Sequence, residues 1–183
     1  MFHDIDEILR KYQQGERDFP NADICDSELE GVDLSGINLS GAEFSDSDLT
    51  RINLSGANLS GANLFENAIR EADLSEVNFS EASLCCSAFD KTNLRGANLS
   101  KANLKMASFS SANLTDANLS GTNITGTDFS NANLTNANFT GAFFKNEYDE
   151  YEDVMKVFPT YQPPIFYNTV MPDGSIRTNT SHS

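Results

Sequence analysis

Few side chains in this 183-residue chain are suited to chemistry, and they are scattered. Three cysteines stand at Cys25, Cys85 and Cys86, and the two histidines, His3 and His182, lie near opposite ends. A thiol becomes a useful nucleophile when a histidine, a cation or a helix start lowers its pKa, and no histidine or helix start is predicted near Cys85. The spacing offers no nucleophile beside a base, no glycine loop to cradle a phosphate and no carboxylate pair in a cleft. Zinc binding needs Cys and His clustered at short intervals. Neither catalysis, nor a metal, nor a cofactor is expected. The odd, partly adjacent cysteines do not form a disulfide framework, and all three read as thiols. What remains is surface chemistry: 27 acids against 12 bases give a net charge of −15, which excludes direct nucleic-acid binding and favours basic sites on proteins as partners.

The elements that must position these residues come from one strict pattern. From Phe19 to Phe144 every fifth residue is Leu, Phe or Ile. A helix would gather its apolar stripe at spacings of three and four and a strand at two, so a period of five fits neither; a fixed short period implies a solenoid. Taking each apolar residue as a centre, the residue two before it is mostly small, as at Ala57, Ala97 and Ala117. The residue one before is mostly Asn or Asp, and the residue one after is usually Ser or Thr. Nine of the eleven glycines fall two after a centre, the place for a corner that requires a positive φ. Five residues per side invite a square section.

The runs Ala57-Asn58-Leu59-Ser60-Gly61 and Ala117 to Gly121 resemble the pentapeptide-repeat family. The resemblance covers about 70% of the chain. It implies an all-β solenoid, a right-handed quadrilateral parallel β-helix with four repeats per coil. At ~4.8 Å between stacked strands the repeats make about 6.5 coils and a rod roughly 31 Å long. The opening from Leu9 to Phe19 is similar to that of many stand-alone members from cyanobacteria.

Residues 20 apart should stack. Phe89, Phe109 and Phe129 then form an aromatic pile, and Asn38, Asn58, Asn78, Asn98, Asn118 and Asn138 form a ladder that satisfies hydrogen bonds between coils. Two positions break the inward pattern: Arg17, at the rod's threshold, and Asn67, where the usual order of small residue then Asn is reversed and a local bulge is expected. One corner differs from the rest. Beside the centres Leu64, Leu84 and Leu104 the outward residues are Phe65-Glu66, Cys85-Cys86 and Lys105-Met106, with Phe143 on the same side. Stacked, they form a contiguous apolar patch of the kind that binds partners, unless the terminal segments fold back over it. Asp26, Asp46 and Glu66 continue the corner below as a column of like charge.

Residues 16–90 carry 16 acids against Arg17, Arg51 and Arg70, whereas residues 91–146 carry two acids against five bases. Over about 18 Å of coil the acidic half holds one charge per ~1.4 Å, close to the ~1.7 Å per charge of duplex DNA. The expected function is a non-catalytic scaffold binding a protein partner through Phe65, Cys85, Cys86, Met106 and Phe143 with Asp26, Asp46 and Glu66. The alternative, implied by the resemblance, is an acidic DNA mimic that binds a type II topoisomerase such as DNA gyrase. The plainer account of the acids is a solvated face that keeps a slender rod soluble.

The chain divides into a capping helix (1–15), the repeat coil (16–146) and a C-terminal region (147–183). Ile5, Ile8, Leu9 and Tyr12 share one helix face, with Asp4 and Glu7 as a capping pair and Gly15 as the stop. Tyr148, Tyr151, Val154, Met155 and Phe158 predict a second capping helix ended by Pro159. Strands over 165–170 and 175–177 should flank a turn at Met171-Pro172-Asp173-Gly174-Ser175, and 178–183 should be disordered. No apolar run is long enough to cross a membrane and no leader is visible, so the expected place is the cytoplasm, as a monomer or weak dimer.

Overall fold

A computed structural model of the protein describes residues 5–143 and 165–178. Every fifth residue from Asp18 to Asn123 makes a parallel bridge to the residue 20 further on, so four repeats complete one coil and the section has four sides. In each repeat the residue before the centre is the bridged strand position, and the next corner follows two residues later. The C=O of Leu39 accepts from Ala42 N–H at 3.1 Å while Gly41 sits at φ +69°. A positive φ at the third residue of such a turn is the type II pattern.

The corner conformation is set by the coil rather than by glycine. At every fifth residue from Asn21 to Gly141 φ lies between +55° and +69°, and 16 of those positions hold residues other than glycine. An L-residue there costs ~1–2 kcal/mol. The left-handed corner persists because backbone hydrogen bonds fix it from both adjoining coils: Gly61 N–H donates to Ser80 O at 2.9 Å and Leu59 N–H to Asn78 O at 2.8 Å, while Asn58 N–H donates back to Ile37 O at 2.9 Å.

Two inward residues per repeat fill the interior. The centres from Phe19 to Phe139 are buried, together with the small residues such as Ala57, Ala97 and Ala117. The predicted aromatic pile is present: Phe89 and Phe109 stack at 4.9 Å between ring centroids with planes 4° apart, and Phe109 and Phe129 at 5.5 Å and 12°. Phe79 and Phe139, from another side of the coil, meet the pile edge-on at 6.1 and 5.7 Å. The asparagine ladder is also present, each Nδ2 donating to the Oδ1 one coil earlier, at 2.9 Å for Asn58 to Asn38 and 3.0 Å for Asn98 to Asn78. The same Oδ1 atoms accept from the N–H two residues on, as Asn58 does from Ser60 at 3.2 Å.

Asn67 is buried as expected, but the bulge is absent. Bridges Asp48↔Ala68 and Ala68↔Ala88 keep the register of 20 through it. The reason is that its amide is satisfied in place: Oδ1 accepts from Ser47 N–H and Nδ2 donates to Phe65 O, both at 3.2 Å. Arg17 does not enter the core either. It is exposed, with its guanidinium 3.7 Å from the Tyr12 ring centroid and Nη1 on Tyr12 O at 2.7 Å.

Helix α1 spans Ile5–Gln13, with Asp6 and Glu7 in its first turn and Arg10 and Lys11 in its last, charges that complement the helix dipole. It ends at Gly15 (φ +96°). Glu16 N–H reaches Lys11 O and Gly15 N–H reaches Tyr12 O, the Schellman arrangement. Ile8 is buried, and Ile5, Leu9 and Tyr12 pack against the core of the coil. Asp4 of the expected capping pair, the helix predicted over 148–158 and the tail after Thr178 lie outside the described residues.

The segment 165–172 adds a feature the repeat pattern does not announce. Leu134, Asn136, Phe139 and Gly141 donate their N–H groups to Ile165, Tyr167, Val170 and Pro172, and Ile165 and Val170 bridge Asn133 and Asn138 in parallel. Phe166 and Met171, five apart, are buried as centres would be. Between them Asn168 takes the corner φ of +50° and its Nδ2 donates to Asn136 Oδ1 at 3.2 Å. The segment is thus a further side of the coil with an atypical sequence. The predicted turn follows, with Met171 N–H on Ser175 O at 2.7 Å, but the hairpin is shorter than expected: β1 (Thr169–Val170) pairs antiparallel with β2 (Ile176–Arg177).

Candidate protein-interaction face

At each corner only the two residues after the centre are free to vary, because the other three serve the core and the bridge. On the corner following Ile24, Phe44, Leu64, Leu84 and Leu104 those pairs are Cys25-Asp26, Ser45-Asp46, Phe65-Glu66, Cys85-Cys86 and Lys105-Met106. Coil-to-coil hydrogen bonds hold them in register: Asp26 N–H to Ser45 O at 3.0 Å, Glu66 N–H to Cys85 O at 3.1 Å, Cys86 N–H to Lys105 O at 2.9 Å and Met106 N–H to Thr125 O at 2.8 Å.

The apolar members do not share one row. Phe65 and Cys85 occupy the first position of the corner and Cys86 and Met106 the second, so the patch runs as a diagonal over three coils. Glu66 lies beneath Cys86 and Lys105 above Cys85. Phe65 is 43% and Met106 60% exposed; Cys86 is exposed and Cys85 partly so. Met106 leans towards the bare corner at Gly126, where an added Cβ would lie 3.4 Å from its Cγ. Phe143 is placed differently from its companions. It is a half-buried bridge partner of Asn123 on the adjoining wall, not a member of the diagonal. Asp26, Asp46 and Glu66 all project from left-handed corners at φ 55–58°, exposed and without an ion-pair partner among the described residues.

Behind this corner all but one of the small inward positions are polar, Ala107 being the exception. Ser27, Ser47, Asn67, Ser87 and Thr127 are buried in one row. Ser47 Oγ donates to Ile24 O at 2.6 Å and Thr127 Oγ1 to Leu104 O at 2.8 Å, and Ser87 Oγ donates to Leu64 O. These bonds tie the corners after Ile24, Leu64 and Leu104 to the next coil, whereas Ala107 makes no such bond behind Cys85 and Cys86.

The three cysteines are free thiols. Burial pushes the Cys85 thiol up to about 11, helped by its hydrogen bond with Cys86 and by the charges of Cys86 and Glu66, with Lys105 opposing. Burial, then the hydrogen bond with Asp23, also raises Cys25. Neither is a thiolate at neutral pH. Elsewhere the bases pair with acids about one coil away: Arg51 with Glu30, Arg70 with Asp90, Lys91 with Glu71, Arg95 with Asp116 and Lys101 with Glu81. The described residues hold no group of three or more His, Cys, Asp or Glu arranged for a metal ion and no helix long and apolar enough to cross a membrane.

Eight copies of the Pentapeptide repeats family match residues 27–65, 42–80, 72–116 and 112–146, together about two thirds of the chain. The protein belongs to the pentapeptide repeat family. Among solved structures it is similar to HetL, a pentapeptide repeat protein involved in heterocyst differentiation regulation from the cyanobacterium Nostoc, at 24% identity over 96% of this chain and 100% of that one, with a TM-score of 0.39. It is similar at 29% identity to a pentapeptide repeat protein of the Arabidopsis thaliana thylakoid lumen, over 61% and 67% of the two chains, TM-score 0.40. It also resembles QnrB1, a plasmid-mediated fluoroquinolone resistance protein, at 24% identity over 69% and 74%, TM-score 0.41. Superpositions this loose add nothing to an argument about function. No curated protein matches.

Proposed function

We propose that this protein is a non-catalytic rod that binds a protein partner through the diagonal of Phe65, Cys85, Cys86 and Met106, with Asp26, Asp46 and Glu66 extending the contact below it. The solenoid is taken as right-handed and about 6.5 coils long at the strand-stacking distance, capped at both ends and working in the cytoplasm as a monomer or weak dimer. The carrying observation is the exposure of Phe65 and Met106 on one corner, two coils apart. At every other corner the described residues show Ser, Thr, Asn, Gly or charge at nearly all of these positions. The partner that fits offers an apolar surface beside basic side chains.

The experiment is a pull-down from cyanobacterial lysate at low and high salt, comparing the native chain with Phe65→Ser/Met106→Ser and with Asp46→Asn/Glu66→Gln. A partner held at high salt and lost only in the first variant supports the apolar contact. The second reading, mimicry of DNA towards a type II topoisomerase, draws on the acidic half of the coil. It requires capture of topoisomerase subunits at low salt alone, unaffected by Phe65→Ser/Met106→Ser and weakened by Asp46→Asn/Glu66→Gln.

A further inference from the structure

The corner at Cys85 and Cys86, besides lying in the docking diagonal, sets two thiols side by side. Their Sγ atoms stand 3.5 Å apart on the surface; Cys85 O accepts from Glu66 N–H of the coil before, and Cys86 N–H donates to Lys105 O of the coil after. A disulfide between neighbours is opposed by this backbone. Trans-linked Cα atoms stand ~3.8 Å apart, below the ~4.4 Å lower limit of ordinary disulfides, and there is no cis peptide bond here. A bridging atom removes that difficulty, because it inserts two bonds where the disulfide has one.

The sulfur separation selects the bridging centre. Two sulfurs each ~2.3 Å from one atom stand ~3.3 Å apart at a right angle, ~3.8 Å at the tetrahedral angle and ~4.6 Å in a line. The 3.5 Å separation is short of the ~4.6 Å a linear two-coordinate metal spans and suits a bent centre. Structural zinc would need four protein ligands, and the described residues supply no third His, Cys, Asp or Glu. A pyramidal trivalent centre needs two thiolates and carries its third substituent with it. We infer that Cys85 and Cys86 form a chelating dithiol site for trivalent arsenicals, independent of the docking reading. With an organic arsenoxide two S–As bonds form and the arsenic–oxygen bond breaks. The two thiol protons leave with that oxygen as one water. Arsenic stays trivalent and sulfur is not oxidised, so no co-reactant is required.

The test titrates the full chain with phenylarsine oxide and reads intact mass and free-thiol count. One adduct per chain should form with the loss of two thiols, leaving Cys25 titratable. A dithiol such as dimercaptopropanol should strip it and excess glutathione should not. Chelation exceeds attachment through one thiol by ~10²–10⁴-fold, and that factor should vanish in both Cys85→Ser and Cys86→Ser. Serine already occupies equivalent corner places at Ser45 and at Ser111, the latter at φ +60°, so both variants should keep the fold, which circular dichroism checks. Undiminished affinity in either serine variant, or removal of the adduct by glutathione, would overturn the inference.

Discussion

Phe109 offers the sharpest test of how the coil is held together. Its ring lies between those of Phe89 and Phe129, 4.9 and 5.5 Å away and nearly parallel to both, and it is fully buried. Truncation to Ala removes the ring's transfer energy and opens a cavity that bonded coils above and below cannot close, which costs ~3–5 kcal/mol. Phe109→Leu separates the terms. Leu29, Leu49 and Ile69 occupy the same row and are buried without strain on the register, so leucine is accommodated and the loss is mainly two stacked contacts of ~0.5–1.5 kcal/mol each, about 1–3 kcal/mol in all. Urea unfolding followed by far-ultraviolet circular dichroism measures both, with the slope reporting whether the rod still melts as one unit. A cycle with Phe129→Leu should show non-additivity of ~0.5–1.5 kcal/mol. A loss below ~1 kcal/mol for Phe109→Ala, or strict additivity in the cycle, would refute the account of an energetically coupled pile.

Four further outcomes follow from the same geometry. Leu99→Ala, in mid-rod and fully buried, should cost ~2–5 kcal/mol in the same assay. At the corners, Ser111→Gly should stabilise by up to ~1 kcal/mol, the left-handed cost of an L-residue less the flexibility glycine adds to the unfolded chain; Gly56→Ala should destabilise by a similar amount although its Cβ would meet nothing within 4 Å. Asn67→Ala should cost ~1–3 kcal/mol although Ala is the usual occupant of inward small positions, because it leaves the buried Ser47 N–H without its acceptor; a neutral result in urea melts would show that Asn67 Oδ1 does not hold that group. For Cys85, raised from 9.0 to about 11, the folded state holds its proton more tightly than the unfolded state. The associated stability is therefore complete below about pH 9 and lost as pH rises through about 11. Mass-mapped alkylation should find Cys85 slow at pH 8 and accelerating towards pH 11, and fast labelling at pH 8 would contradict the burial that sets it.

The coil was legible in the sequence because each side of it makes the same demand at the same place. One large and one small residue must point inward every five positions, and the corner must accept a positive φ, so Leu59, Ala57 and Gly61 state the geometry between them. Stacking by 20 then gave the Phe89 pile and the Asn58 ladder by arithmetic alone. The side at 165–172 was not legible, because Phe166 and Met171 are only two hits in five-residue phase, with Thr169 in place of Ala and Asn168 in place of Gly. Its membership depends on the N–H groups of Leu134 and Phe139 needing acceptors at the end of the coil, a requirement of the structure and not of local sequence. Asn67 was visible as an anomaly, yet its consequence was misread. Reversal of two residues suggested a shift of register, whereas the amide found Ser47 N–H one coil below and left the bridges intact.

The site was legible to the extent that the fold leaves positions uncommitted. In a repeat such as Ala57-Asn58-Leu59-Ser60-Gly61 the first and third residues fill the core and the second carries the bridge and ladder, so a partner can read mainly the last two. Departure from Ser, Thr, Gly and charge in those two rows is therefore what marks a candidate corner for the proposed docking, and Phe65, Cys86 and Met106 depart on consecutive coils. Spacing alone could not show that they form a diagonal with Glu66 and Lys105 on opposite flanks, since that depends on which of the two corner residues is apolar in each coil. A partner whose apolar edge crosses the rod obliquely, with a base placed over Glu66 and an acid over Lys105, would satisfy all five residues at once. One aligned straight along the axis would meet an apolar group and a charge alternately.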